Sequence, residues 1–172
     1  FVEVGRADLV GDHVGSTAPL VKKKFKEAQG GGLFIDEAYS LVDDRSGSFG
    51  DEAIHMIVQE MENHREDTIV VFAGYPNEMQ EFLARNPGLT SRIAFQVEFE
   101  DYTVDELCAI TKLMLSKKEM TITDAAMTKL RTHFESVIGS NDYGNGRFVR
   151  KMLEEAEMNL LDLMEQWEKA QA

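Results

Sequence analysis

Along the first hundred residues, short apolar runs alternate with stretches in which apolar residues return every three or four positions. The opening "FVEVGR" bunches Phe1, Val2 and Val4 as a short strand, and a Gly-punctuated loop, "VGDHVGSTAP", follows. Next, "LVKKKFKEAQ" reads as a helix that the Gly30-Gly31-Gly32 run stops. "GLFI" then reads as a strand. In the loop "DDRSGSFG", Ser48 is placed to cap a helix with Asp51 three positions on. Ile54, Ile57, Val58 and Met61 recur at helical spacing in that helix. "DTIVVFAGY" is a second fully apolar strand. Strands apolar on both faces belong to parallel sheets covered by helices on either side. "PNEMQEFLAR" predicts a short helix, and the alternation in "RIAFQVEF" a last strand. This βαβ rhythm predicts an α/β domain over residues 1–100.

Around Asp101 the rhythm changes. Thr103 and Glu106 form a capping box before the helical pattern "VDELCAITKLML". A second helix, "DAAMTKLRTHFESVI", puts Met127, Leu130, Phe134 and Val137 on one face. After "GSNDYGNG", a long helix from about Arg147 to Trp167 points Phe148, Met152, Leu153, Leu160, Leu161 and Met164 inward. Three helices without strands predict a small all-α bundle over residues 101–172.

Composition narrows the possible partners. The 172 residues carry a formal charge of −13, so the surface field is acidic and offers no basic stripe for nucleic acid. The one basic cluster, "KKKFK", lies on a helical pattern and reads as a solvated face. The single cysteine, Cys108, excludes an internal disulfide framework and sits at an apolar helical position, where it reads as core. No run reaches the roughly 20 apolar residues of a membrane span, and no signal peptide is visible. The expected compartment is the cytoplasm.

Candidate chemistry centres on "GGGLFIDEAYSLV", where an apolar strand runs into Asp36 and Glu37. Open parallel sheets bind ligands at the carboxyl ends of their strands, which is where this pair falls if "GLFI" is central. Two carboxylates there can divide the work, one holding Mg²⁺ directly or through water and the other polarising an attacking water. Burying both without a cation would cost several kcal/mol or raise a pKa. The plainer alternative is a strand that ends in a solvated acidic turn. Near the start of the last helix, Arg147, Arg150 and Lys151 crowd the positive end of the helix dipole, which disfavours cations. Arg150 and Lys151 have acidic residues four positions on, whereas Arg147 has Lys151 there. A nearby anion would account for Arg147.

From Phe1 to about Trp167 the chain resembles the CbxX/CfqX branch of the AAA+ ATPases, which includes red-type Rubisco activases and the stage V sporulation protein K. The stretches "GRADLVGDHVGSTAP", "GGGLFIDEAYSL", "AGYPNEM", "NPGLTSRIAF" and "NGRFVRKMLEEA" carry the resemblance in the family's order and spacing. "FIDEAYSL" and "NGRFVR" look most like the sporulation member. The resemblance implies a parallel-sheet nucleotide-binding core followed by a helical lid, with ATP and Mg²⁺ as cofactors. It further implies a homo-oligomeric ring, expected to be hexameric, acting on a protein substrate. Asp36 and Glu37 match the Walker B pair, for Mg²⁺ and for the hydrolytic water. Arg92 in "GLTSRI" matches the arginine finger, and Arg147 the lid's sensor 2 arginine. The sensor 1 position falls within Gly74-Tyr75-Pro76, with Tyr75 as candidate and Asn77 in reserve.

"GDHVG" matches the first pore loop, formed here by Asp12, His13 and Val14. His13 stands where the relatives usually carry an aromatic that grips an extended polypeptide. It fits a pH-sensitive grip or a solvated loop histidine equally well. One departure bears on activity: no G-x-x-x-x-G-K-[ST] occurs in the 172 residues. In the family that loop lies just upstream of where this chain begins, with a central strand between the last strand and "IVVFA". The expectation is therefore a core truncated before its phosphate loop, inactive in isolation, with two strand edges left unpaired. The rival expectation is a degenerate, non-catalytic AAA+ scaffold or regulatory module.

Overall fold

The computed structural model describes residues 1–42, 49–139 and 143–171, which fall into two compact units, Phe1–Glu98 and Phe99–Ala172. Three strands form a parallel sheet in the first unit: β1 (Val2–Val4), β2 (Gly32–Ile35) and β3 (Ile69–Phe72), in that spatial order. Val4 aligns with Ile35, and Ile35 with Phe72. Side chains alternate across a sheet, so Val2, Val4, Leu33, Ile35, Val70 and Phe72 share one face. That face builds the core with α2 (Thr17–Ala28), α3 (Phe49–Asn63) and Phe82 of α4 (Pro76–Arg85). Phe25, Leu33, Ile35 and Ile57 are fully buried there, each stabilising by roughly 1.5–3 kcal/mol. The opposite face carries Glu3, Phe34, Ile69 and Val71, and Ile69 is 71% exposed. The expected cover on both sides is thus found on one side among the described residues.

Local signals explain most element ends. Helix α2 starts three residues before the apolar pattern does, at Thr17. Pro19 in its first turn costs nothing, because the first N–H groups of a helix have no intrahelical acceptor. Gly30, at φ +77°, ends it in a conformation that favours glycine. In the "KKKFK" cluster, read as a solvated face, Lys22, Lys23 and Lys26 do face solvent, whereas Phe25 is buried. Lys24 is more enclosed and pairs with Asp8 at 3.3 Å, on the short helix α1 (Arg6–Leu9). The proposed Ser48 cap lies outside the described residues.

The segment 92–99 departs from expectation. No ladder forms there, and Phe95, Val97 and Phe99 are 87%, 75% and 92% exposed. Alternation alone does not make a strand: backbone groups need a neighbouring ladder, and none of the described residues supplies one. A short helix, α5 (Pro87–Thr90), precedes it.

The second unit is helical, with α6 (Val104–Lys117), α7 (Asp124–Val137) and α8 (Asn145–Gln171). The capping box forms as read: Thr103 Oγ1 accepts the Glu106 N–H, and the Glu106 carboxylate accepts the Thr103 N–H at 2.8 Å. The Thr103 N–H, then the Thr103 hydroxyl, which donates to the same carboxylate at 2.9 Å, hold the Glu106 carboxyl below its usual pKa. Leu107, Cys108, Phe134, Val149 and Leu153 form the core, which bears out Cys108 as a core residue. Leu160, Leu161 and Met164 do not point inward; they are 48%, 58% and 53% exposed. The reason is length. At about 1.5 Å per residue, α6 and α7 span about 21 Å and α8 about 40 Å, so its second half outruns its neighbours.

Candidate functional site

The carboxyl ends of β2 and β3 lie side by side, and two bonds fix what leaves them. The Ala73 N–H donates to the Ile35 carbonyl at 2.9 Å, and the Ala38 N–H donates to the Ala73 carbonyl at 3.0 Å. Between these ties sit Asp36 and Glu37. Asp36 is anchored from the other side, since its N–H donates to the Val4 carbonyl of β1 at 3.0 Å. The acidic pair therefore emerges from the middle strand of the three described, which meets the condition set by the sequence reading. Both residues are exposed.

Glu37 has φ +47° and ψ +48°, a left-handed conformation that costs a non-glycine residue roughly 1–2 kcal/mol. Such strain persists only where the surroundings over-determine it. Here the Asp36 carboxylate accepts the Glu37 N–H at 3.0 Å, and the Glu37 carbonyl accepts the Ser40 N–H at 2.7 Å. Residues Ala38–Leu41 form a turn of 3-10 helix, with Ala38 and Leu41 buried. Arg6 reaches this turn from α1, its Nη1 donating to the carbonyls of Ser40 and Leu41.

Tyr75 follows β3 as the N-cap of α4, with Pro76 at the first helical position, and is half exposed. Asn77 is exposed one residue further. The phenol of Tyr39 reports what surrounds the turn. Burial raises its pKa first, and the negative charge of Glu37, then of Glu78, adds to the rise, with Tyr75 and Asp36 contributing less. Tyr39 thus feels the charge of the acidic pair and of Glu78 on α4. Gly74 leaves room for its ring: a Cβ there would lie 2.8 Å from both the Tyr39 ring and Met79 Sδ.

The remaining candidates sit elsewhere. Asp12, His13 and Val14 project from a compact turn, with Val14 88% exposed. Ser16 closes that turn, its Oγ donating to the His13 carbonyl at 2.6 Å and accepting the His13 N–H at 3.3 Å. Arg92, just past α5, donates from Nη1 to the Gly88 carbonyl at 3.1 Å, and its Nε lies 3.7 Å from Glu62 on α3. Arg147 belongs to the second unit, exposed in the first turn of α8. Of its basic neighbours, Lys151 pairs with Glu155 at 4.0 Å; for Arg147 no acidic side chain lies within 4 Å among the described residues. Asn145, at φ +48°, begins the helix and binds Tyr143, Tyr102 and Asp101.

The structure gathers Asp36, Glu37 and Tyr75, with the neighbouring Gly74, at one sheet edge and adds Tyr39 and Arg6, which sequence reasoning did not single out. Tyr39 was visible as an aromatic next to the pair. Arg6 had no local signal, because its partners are 34 and 35 positions away. Among the described residues no helix is long and apolar enough to cross a membrane, and no group of three or more His, Cys, Asp or Glu could hold a metal.

Comparison with known proteins places the two units in a family. Residues 1–101 match the model of the ATPase family associated with various cellular activities (AAA), and residues 103–169 match an AAA lid domain. The chain is 43% identical over 159 residues to a CfxQ homolog of Pyropia yezoensis, covering 92% of this chain and 53% of that protein. It is 42% identical over 159 residues to the chloroplastic ribulose bisphosphate carboxylase/oxygenase activase of Cyanidioschyzon merolae, covering 92% and 54%. It is 40% identical over 159 residues to the stage V sporulation protein K of Bacillus subtilis, covering 91% and 49%. The chain thus spans about half the length of the curated relatives it matches. Its fold is similar to that of the FIGL-1 AAA domain solved in complex with ADP, with a TM-score of 0.66 at 19% identity over 92% of this chain and 51% of that one. The chain belongs to the AAA family of ATPases, in the branch of the CfxQ, CbbX and CbxX proteins.

Proposed function

We propose that this chain supplies the Walker B pair and the lid of an ATP-driven machine that remodels or threads a protein substrate within a ring, expected to be a hexamer. The observation that carries the reading is the pair of exposed carboxylates fixed at the carboxyl end of the middle strand, with Glu37 held left-handed. Two oxygen-rich side chains free of burial suit a hard cation that keeps most of its water. Asp36 would hold Mg²⁺ through water, and the bound ion would offset negative charge on ATP phosphates. Glu37 orients and polarises the attacking water, and Tyr75, with Asn77 in reserve, contacts the nucleotide from the start of α4. Arg92 acts on a neighbouring subunit's site, and Arg147, with no acidic partner among the described residues, acts from the lid. The exposed turn at Asp12, His13 and Val14 contacts the polypeptide.

These 172 residues contain no G-x-x-x-x-G-K-[ST] cradle for the phosphates, so the chain by itself is expected to bind nucleotide weakly and not to hydrolyse it. Relatives of similar identity are named as a Rubisco activase and as a sporulation protein, so membership of the branch points to the motor and not to the substrate. The test is ATP turnover by the full reading frame that encodes the chain, beside the same protein with Glu37→Gln. The substitution should abolish turnover while ATP binding persists. Absence of both turnover and nucleotide binding in the unsubstituted protein would instead support a non-catalytic AAA+ scaffold.

A further inference from the structure

We infer that Arg6 is a positioning residue that holds Glu37 in its left-handed conformation by clamping the carbonyls at the end of the turn that Glu37 begins. The inference rests on the hydrolytic role proposed for Glu37. The Glu37 backbone is fixed on its N-terminal side by the Asp36 N–H bond to Val4 and by the Asp36 carboxylate. Its C-terminal side depends on the four residues of 3-10 helix, Ala38–Leu41. The last carbonyls of such a short helix have no intrahelical donor and would otherwise turn toward water. One nitrogen of the Arg6 guanidinium bonds both, at Ser40 and Leu41, which fixes the pitch of the turn and with it the direction in which Glu37 leaves. A guanidinium suits this task because its donors lie in one rigid plane, whereas a lysine offers a single swivelling ammonium.

The far side of the clamp is walled by Gly50 in the first turn of α3. A Cβ on Gly50 would lie 1.9 Å from the Leu41 oxygen and 3.4 Å from Arg6 Nη1. Glycine at that point leaves just enough room for the carbonyl and the guanidinium to meet. A side chain there would displace the Leu41 carbonyl while leaving Arg6 in place. The clamp can therefore be opened from two sides.

The experiment takes the full reading frame with Arg6→Ala, Arg6→Lys, Gly50→Ala, Glu37→Gln and the Arg6→Ala/Glu37→Gln pair. Two readings are made on each: amide hydrogen exchange at Ala38, Ser40 and Val42, and ATP turnover with its kcat and KM separated. Arg6→Ala and Gly50→Ala should each speed exchange at those amides tenfold or more. Both should lower kcat by at least tenfold and leave KM within twofold. Arg6→Lys should recover part of both losses. In the Glu37→Gln background, Arg6→Ala should speed exchange at the same amides, since the clamp acts on the backbone. Unchanged exchange in Arg6→Ala overturns the clamp, and so does faster exchange with kcat intact. Loss of exchange protection across the whole unit in both single variants also overturns it, since Arg6 would then serve general stability. Retained turnover in Glu37→Gln overturns the hydrolytic reading instead, and the exchange rates still judge the clamp.

Discussion

Asp8 sits two residues beyond Arg6, and its carboxylate links three parts of the chain. It accepts the Gly5 N–H at 3.1 Å and lies 3.3 Å from Lys24 Nζ on α2. The Gly5 bond, then Lys24, hold its pKa below the ordinary aspartate value. A carboxyl with a lower pKa folded than unfolded stabilises the fold above the unfolded value, about 4, and loses that contribution as pH falls through the folded value. Melting temperatures of the wild type and Asp8→Asn should therefore differ most above pH 5 and converge as pH drops below 4. A gap independent of pH would mean that the Asp8 charge contributes nothing. The group is well exposed, so the effect is modest. Lys24 came from a cluster whose pattern read as wholly solvated. Its partner could not be seen from spacing, because Asp8 reaches it through the packing of α1 on α2.

At the scale of elements, α8 separates pattern from packing. Its apolar positions recur along most of its length, yet only the first half meets other helices. Leu153, 9% exposed, should cost about 2–3 kcal/mol on replacement by Ala in urea unfolding. Leu160→Ala, at 48% exposure, should stay within about 0.5 kcal/mol. Equal losses would mean that something covers the second half in solution. The segment 92–99 makes the same point for strands, since alternation names the residues suited to a sheet face and says nothing of which ladder they join. The capping box at Thr103 was legible because a cap needs only residues three positions apart.

For the molecule as a whole, the open sheet face and the outer edge of β3 are its main liability. Ile69 and Val71 lie on the open face, and Phe95, Val97 and Phe99 add further exposed apolar surface. Unpaired strand edges and apolar patches of this kind template association, while the net charge of −13 opposes it. The 172-residue chain should associate as concentration rises, most strongly when salt screens that charge. Ile69→Lys and Phe95→Lys should each reduce the weight-average mass measured by light scattering. A mass unaffected by either substitution would place the association elsewhere.

The amino-acid sequence by itself determined the class of each unit, most helices, the capping box, the buried cysteine and the emergence of Asp36 and Glu37 from an apolar strand. These features follow from periodicities and caps that involve residues a few positions apart. Only the tertiary structure decided that Glu37 is left-handed, that Arg6 bonds a turn 34 residues away, and that the Tyr39 ring lies close to Gly74. It also decided that 92–99 has no ladder and that half of α8 stays bare. Each of these depends on which surfaces meet in space, and a backbone angle or an exposed leucine is set by those neighbours and not by the residues beside it in the chain.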